Sequence, residues 1–70
     1  MRKYYANINL YFDEHKYSIV GDDSTNRQEM IELIQKFAKI RELNCNVKTK
    51  SFFDKKGKEV GIFTLASKEI

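Results

Sequence analysis

The sequence predicts an α+β domain: one helix packed on a four-stranded, mainly antiparallel sheet, in the order ββαββ. Three observations carry this expectation. Several stretches alternate between apolar and polar residues, the period of a half-buried strand. One segment instead repeats its apolar residues at helical spacing, directly after a cluster of capping residues. The chain has 70 residues, which leaves room for one core and one domain spanning residues 1–70.

Residues 3 to 12 alternate most strictly. Tyr4, Ala6, Ile8, Leu10 and Phe12 fall on one face, and Tyr5, Asn7, Asn9 and Tyr11 on the other. Asp13-Glu14-His15-Lys16 reads as a turn, Tyr17 to Val20 as a returning strand, and Gly21 as its end.

A helix follows with a marked start. Thr25 with Gln28, or Asn26 with Glu29, has the spacing of a capping box. Met30, Ile31, Leu33, Ile34, Phe37, Ala38 and Ile40 then form one broad apolar face, opposite Gln28, Glu32, Gln35, Lys36 and Lys39. Arg41 sits where its stem can pack and its charge can complement the helix dipole. Asn44 is the expected left-handed stop.

Residues 45 to 53 alternate again, with Cys45, Val47, Thr49, Ser51 and Phe53 against Asn46, Lys48, Lys50 and Phe52. Asp54-Lys55-Lys56-Gly57 suits a hairpin connection in which Gly57 supplies a positive φ. Residues 59 to 67 form the last strand, with Val60, Ile62, Thr64 and Ala66 on one face and Gly61, Phe63 and Leu65 on the other, which suits a central position or a covered outer face. One helix must bury its apolar stripe on one sheet, which makes a two-layer sandwich. If the last strand lies beside the first and parallel to it, the order is 2-1-4-3, a β-grasp-like arrangement; a plain meander is the competitor. The parallel threading gathers Arg2, Lys3, the helix N-terminus and the Lys55–Lys58 turn at one end, with Asp22, Asp23 and Glu59.

The usual catalytic and metal-binding constellations are absent from the sequence. His15 stands beside Asp13 and Glu14 in a turn, with no nucleophile fixed near it. Cys45 is the single cysteine and follows a helix C-terminus, whose dipole disfavours a thiolate. With one cysteine and one histidine, neither a disulfide nor a structural zinc site can form within the chain. Gly21, Gly57 and Gly61 are too scattered for a phosphate loop, and the paired acids are too few for a calcium loop. The expectation is a non-enzymatic protein without cofactor or metal.

Charge is concentrated. Lys48, Lys50, Lys55, Lys56 and Lys58 against Asp54 give residues 48–58 a net +4, whereas the whole chain carries +3. In the expected topology Lys48, Lys50 and Phe52 join Tyr5, Asn7, Asn9 and Tyr11 on an uncovered sheet face. The turn lysines Lys55, Lys56 and Lys58 form its rim. Such a face suits a protein partner, single-stranded nucleic acid stacked on the rings, or a second copy forming a homodimer. A net charge of +3 is small for a dedicated nucleic-acid binder, so the protein partner leads. The leading expectation is therefore a small binding module, such as an inhibitor or accessory protein of a phage or mobile element. Nucleic-acid binding through the sheet face and the 48–58 hairpin is the alternative. No apolar run is long enough for a membrane span, and no signal-peptide pattern stands at the N-terminus. With an unpaired cysteine, this makes the cytoplasm the expected location.

Overall fold

The computed structural model describes residues 2–69. Its elements are β1 (Arg2–Leu10), β2 (Lys16–Val20), α1 (Arg27–Ile40), β3 (Asn44–Asn46), β4 (Ser51–Phe53) and β5 (Glu59–Glu69). The strands form one antiparallel sheet in the order β2-β1-β5-β4-β3, and α1 packs on one face of it. The α+β class and the two layers agree with the sequence. The sheet has five strands instead of four because residues 45–53 are not one strand.

That segment folds back on itself. The Asn46 side-chain oxygen accepts from the backbone N–H groups of Lys48 and Thr49 at 3.0 and 3.2 Å, and Lys50 adopts a left-handed φ of 55°. A side-chain amide that mimics a turn carbonyl in this way reverses the chain locally. The result is a β3–β4 hairpin with Cys45 opposite Phe52. The extra reversal also inverts the last strand. β5 does lie beside the first strand, but antiparallel to it, with Ile8 opposite Phe63 and Ala6 opposite Leu65.

The inversion moves the Lys55–Lys58 turn to the opposite end from Arg2 and the helix N-terminus. Arg2 instead pairs with Glu69 at 3.9 Å, and Lys55 reaches Glu42 just past the helix C-terminus at 3.8 Å. The turn itself forms as its residues require. The Asp54 carboxylate accepts from the backbone N–H groups of Lys56 and Lys58, and Gly57 takes a φ of 83°.

Asn26 caps α1, its side chain accepting from the Glu29 N–H at 2.8 Å, the N-cap half of one of the two expected boxes. The helix ends in a Schellman arrangement without glycine. Leu43 N–H bonds to the Ala38 carbonyl and Glu42 N–H to that of Lys39, and Glu42, not Asn44, holds the left-handed φ of 59°. The Arg41 guanidinium, not its stem, lies over the rings, 3.8 Å from the Phe37 centroid and 5.0 Å from that of Tyr17.

The core consists of Ala6, Ile8 and Leu10 from β1, Met30, Ile34 and Ala38 from α1, and Phe52 and Phe63 from the neighbouring strands. Its aromatic spine runs from Tyr17 to Phe37 to Phe52 to Phe63, with centroid separations of 5.3, 6.0 and 5.2 Å. Three residues expected on buried faces are instead exposed. Phe12 follows the end of β1 and turns away with the chain at 66% exposure. Leu33 and Ile40 lie on the flank of α1 at 40% and 70% exposure, outside the stripe that meets the sheet. Among the described residues, no helix is long and apolar enough to cross a membrane.

Candidate interaction face

The core residues of β1 and β5 determine what the other face of the sheet presents. With Ala6, Ile8, Leu10 and Phe63 turned toward α1, their neighbours in each strand must point away. Register then aligns these outward residues into cross-strand rows. Val20, Tyr5 and Ala66 form one row; Ser18, Asn7 and Thr64 the next; Lys16, Asn9 and Ile62 the third, which continues to Ser51 and Asn46. No helix covers this face among the described residues.

The rows differ in chemistry. The first is apolar, with Val20 62% exposed at the sheet edge. The second is a band of amide and hydroxyl groups, partly paired within itself by Ser18 Oγ donating to Asn7 Oδ1 at 3.0 Å. The third combines the Asn9 amide with Ile62, which is 40% exposed. A shallow depression of about 310 Å³ runs between the second and third rows, lined by Asn7, Asn9, Lys16, Ile62 and Thr64. Lys16 is the one charged side chain in these three rows, and the next row on the same face sets Lys3 opposite Lys68.

The sequence-predicted residues are distributed unevenly around this face. Tyr5, Asn7 and Asn9 lie on it as expected. Tyr11 follows β1 at its border, where its hydroxyl donates to Glu59 Oε2 at 3.1 Å. Partial desolvation and this carboxylate contact raise the Tyr11 pKa. Phe52 does not belong to the face. It is fully buried, because the turn at 47–50 places it across from Cys45 on the helix side of the sheet. Lys48 and Lys50 leave the face as well, since both belong to that turn. Lys55, Lys56 and Lys58 sit in the β4–β5 turn, beside Glu59 and close to Glu42. The predicted aromatic-lysine surface is thus divided among a core ring, two separate turns and a sheet face whose own lysines, Lys3, Lys16 and Lys68, stand at its margins.

Ser18, Val20, Ile62 and Thr64 are face residues that the sequence reading passed over. The alternation of Lys16, Ser18 and Val20 in β2 was a usable signal for the first two. Ile62 and Thr64 required knowing that Phe63 points inward, which an apolar-on-both-faces strand does not reveal.

Away from the face, one polar cluster ties the β1–β2 turn to the helix end. Tyr17 donates its hydroxyl to the Asp13 carboxylate, which also accepts from the His15 backbone N–H at 2.9 Å. The Tyr17 hydrogen bond, with the His15 amide, lowers the Asp13 pKa and raises that of Tyr17. Asp22 is lowered in the same way by the hydroxyls of Ser24 and Thr25. Both carboxylates thus organise turns. Desolvation raises the Cys45 thiol pKa. Among the described residues, no three acidic, histidine or cysteine side chains gather as metal ligands.

Comparison with protein-family models, curated proteins and solved structures finds no match to this chain.

Proposed function

We propose that this protein is a non-enzymatic binding module that receives a protein partner on its outer sheet face. The observation that carries this reading is the chemistry of the three rows. Exposed Val20 and Ile62 and half-buried Tyr5 surround uncharged amides and hydroxyls at the centre of the face, and its charges stand at the margins, Lys16 at one end and Lys3 opposite Lys68 in the row beyond Tyr5. Depletion of charge around aromatic and aliphatic groups is characteristic of the centre of a protein interface. A nucleic-acid surface needs several lysines or arginines placed to meet successive phosphates. Here the turn lysines lie outside the rows and one of them is already paired with Glu42.

Affinity capture from the native host tests the reading, using the wild-type protein and two variants, with and without nuclease. Ile62→Glu combined with Thr64→Glu puts charge at the centre of the face. Glu32→Gln alters the exposed side of the helix and serves as the control. The expected result is a nuclease-resistant protein partner retained by wild type and control and lost from the double variant. Capture that survives the double variant, or that nuclease abolishes, rejects the proposal; the second outcome favours nucleic acid.

A further inference from the structure

The sheet ends on one side in a regular strand, β2, that is open along its whole length. β2 pairs only with β1, through Tyr5 opposite Val20, Ala6 opposite Ile19, Asn7 opposite Ser18, Ile8 opposite Tyr17 and Asn9 opposite Lys16. Gly21 N–H bonds to the Tyr4 carbonyl, which fixes the parity of this ladder. Tyr17 and Ile19 therefore direct their backbone groups toward β1, and Lys16, Ser18 and Val20 direct theirs outward. No backbone partner meets those outward groups among the described residues.

Unpaired edges of this kind attract further strands unless something blocks them. The other open edges differ from that of β2. β3 is three residues long and runs directly into a turn, and the side of β5 left open beyond its short pairing with β4 ends in Lys68 and Glu69. β2 has no proline, no bulge in its register with β1, and a single charge at one end.

Its sequence is also self-complementary. If two copies of Lys16-Tyr17-Ser18-Ile19-Val20 run antiparallel about a two-fold axis at Ser18, the axis places Ser18 opposite Ser18. Lys16 then faces Val20, Tyr17 faces Ile19, and no like charges meet. The outward backbone groups of Lys16, Ser18 and Val20 exchange hydrogen bonds in the same register.

The helix offers a second, independent observation. Leu33 and Ile40, 40% and 70% exposed, share a helical stripe with Phe37, whose ring packs on Tyr17 of β2 at 5.3 Å. An apolar stripe without cover thus flanks the same side of the molecule as the open strand. A two-fold partner would bring the two stripes toward each other above the joined sheet.

We propose that β2 is the dimerisation edge of this chain, pairing antiparallel with β2 of a second copy about Ser18. The two sheets become continuous and their outer faces form one extended surface. This interface is independent of the outer-face reading and is tested without any partner.

Sedimentation equilibrium on the purified full chain, from about 1 to 500 μM, measures the association. The predicted result is a dimer of twice the 8.3 kDa chain mass. Two substitutions at one position test the register. Val20→Lys sets a lysine opposite Lys16 twice in the dimer and should weaken association roughly tenfold, whereas Val20→Glu sets an opposite charge there and should maintain or tighten it. Ser18→Pro removes an outward N–H without removing a β1 hydrogen bond, and should give a monomer with the wild-type circular dichroism spectrum. A chain that stays monomeric at the highest concentration overturns the proposal. So does a dimer that responds identically to Val20→Lys and Val20→Glu.

Discussion

Truncating Phe52 to alanine separates the observed packing from the surface role that its sequence context predicts. The ring is fully buried and contacts Phe63 and Phe37 at centroid distances of 5.2 and 6.0 Å. Phe-to-Ala substitutions in cores cost about 3–5 kcal/mol, from lost transfer energy and the remaining cavity. Full burial with two aromatic neighbours puts this site toward the upper half of that range. A domain of 70 residues at about 0.05–0.15 kcal/mol per residue has only about 3.5–10 kcal/mol in total. The single substitution therefore removes a third or more of the stability and at the low end removes all of it. Urea unfolding followed by far-ultraviolet circular dichroism reads this directly. With a slope near 1 kcal/mol per molar urea, the midpoint should fall by about 3 M or more, or the folded baseline should vanish. Phe52→Leu, closer in volume, should lose less than about 1.5 kcal/mol. An alanine variant with a midpoint within about 0.5 M of wild type would refute the core assignment and return Phe52 to the surface.

Four further outcomes follow from specific contacts. A Cβ at Gly61 would stand 2.7 Å from the Asn9 carbonyl oxygen and 2.7 Å from Leu10 Cδ2, so Gly61→Ala should destabilise by about 1–3 kcal/mol in the same urea assay. Asn26→Ala removes the acceptor for the Glu29 N–H and should cost about 1 kcal/mol, seen as a lower thermal midpoint. Asp13 and Asp22 both have folded pKa values depressed below 3.8, so each favours folding while ionised. That contribution is complete above the unfolded value and is lost as pH falls through the folded one, below about pH 4. Tyr17→Phe removes the largest cause of the Asp13 shift, and carboxyl-detected NMR titration should show the Asp13 midpoint rising toward the ordinary value.

Much of this architecture is legible in local pattern. The alternation of residues 3–12 identifies β1 and its outward Tyr5, Asn7 and Asn9, since a period of two admits no other division. The Asn26–Glu29 spacing locates the helix start, and Asp54 with Gly57 locates the last turn. What escapes is the turn at 47–50. Cys45 to Phe53 keeps a strand-like alternation with no glycine or proline to interrupt it. Only the ability of Asn46 to cap two amides, with Lys50 in a left-handed conformation, reverses the chain there. This one missed reversal accounts for the differences in sheet topology. It adds a strand, inverts β5, moves the Lys55–Lys58 turn to the other end of the molecule, and turns Phe52 from the outer face to the core. The facing of Ile62 and Phe63 escapes for a related reason, since a strand apolar on both sides takes its facing from its neighbours.

The central claim is that the bare sheet face is the binding surface, and amide chemical-shift mapping tests it most directly. Uniformly labelled protein is titrated with the partner recovered by affinity capture, and shifts are followed residue by residue. The account predicts perturbations concentrated at Tyr5, Asn7, Asn9, Ile62 and Thr64, with the exposed helix residues Glu32 and Lys36 unchanged. Perturbations confined to α1 or to the Lys55–Lys58 turn, with the three rows silent, would contradict it.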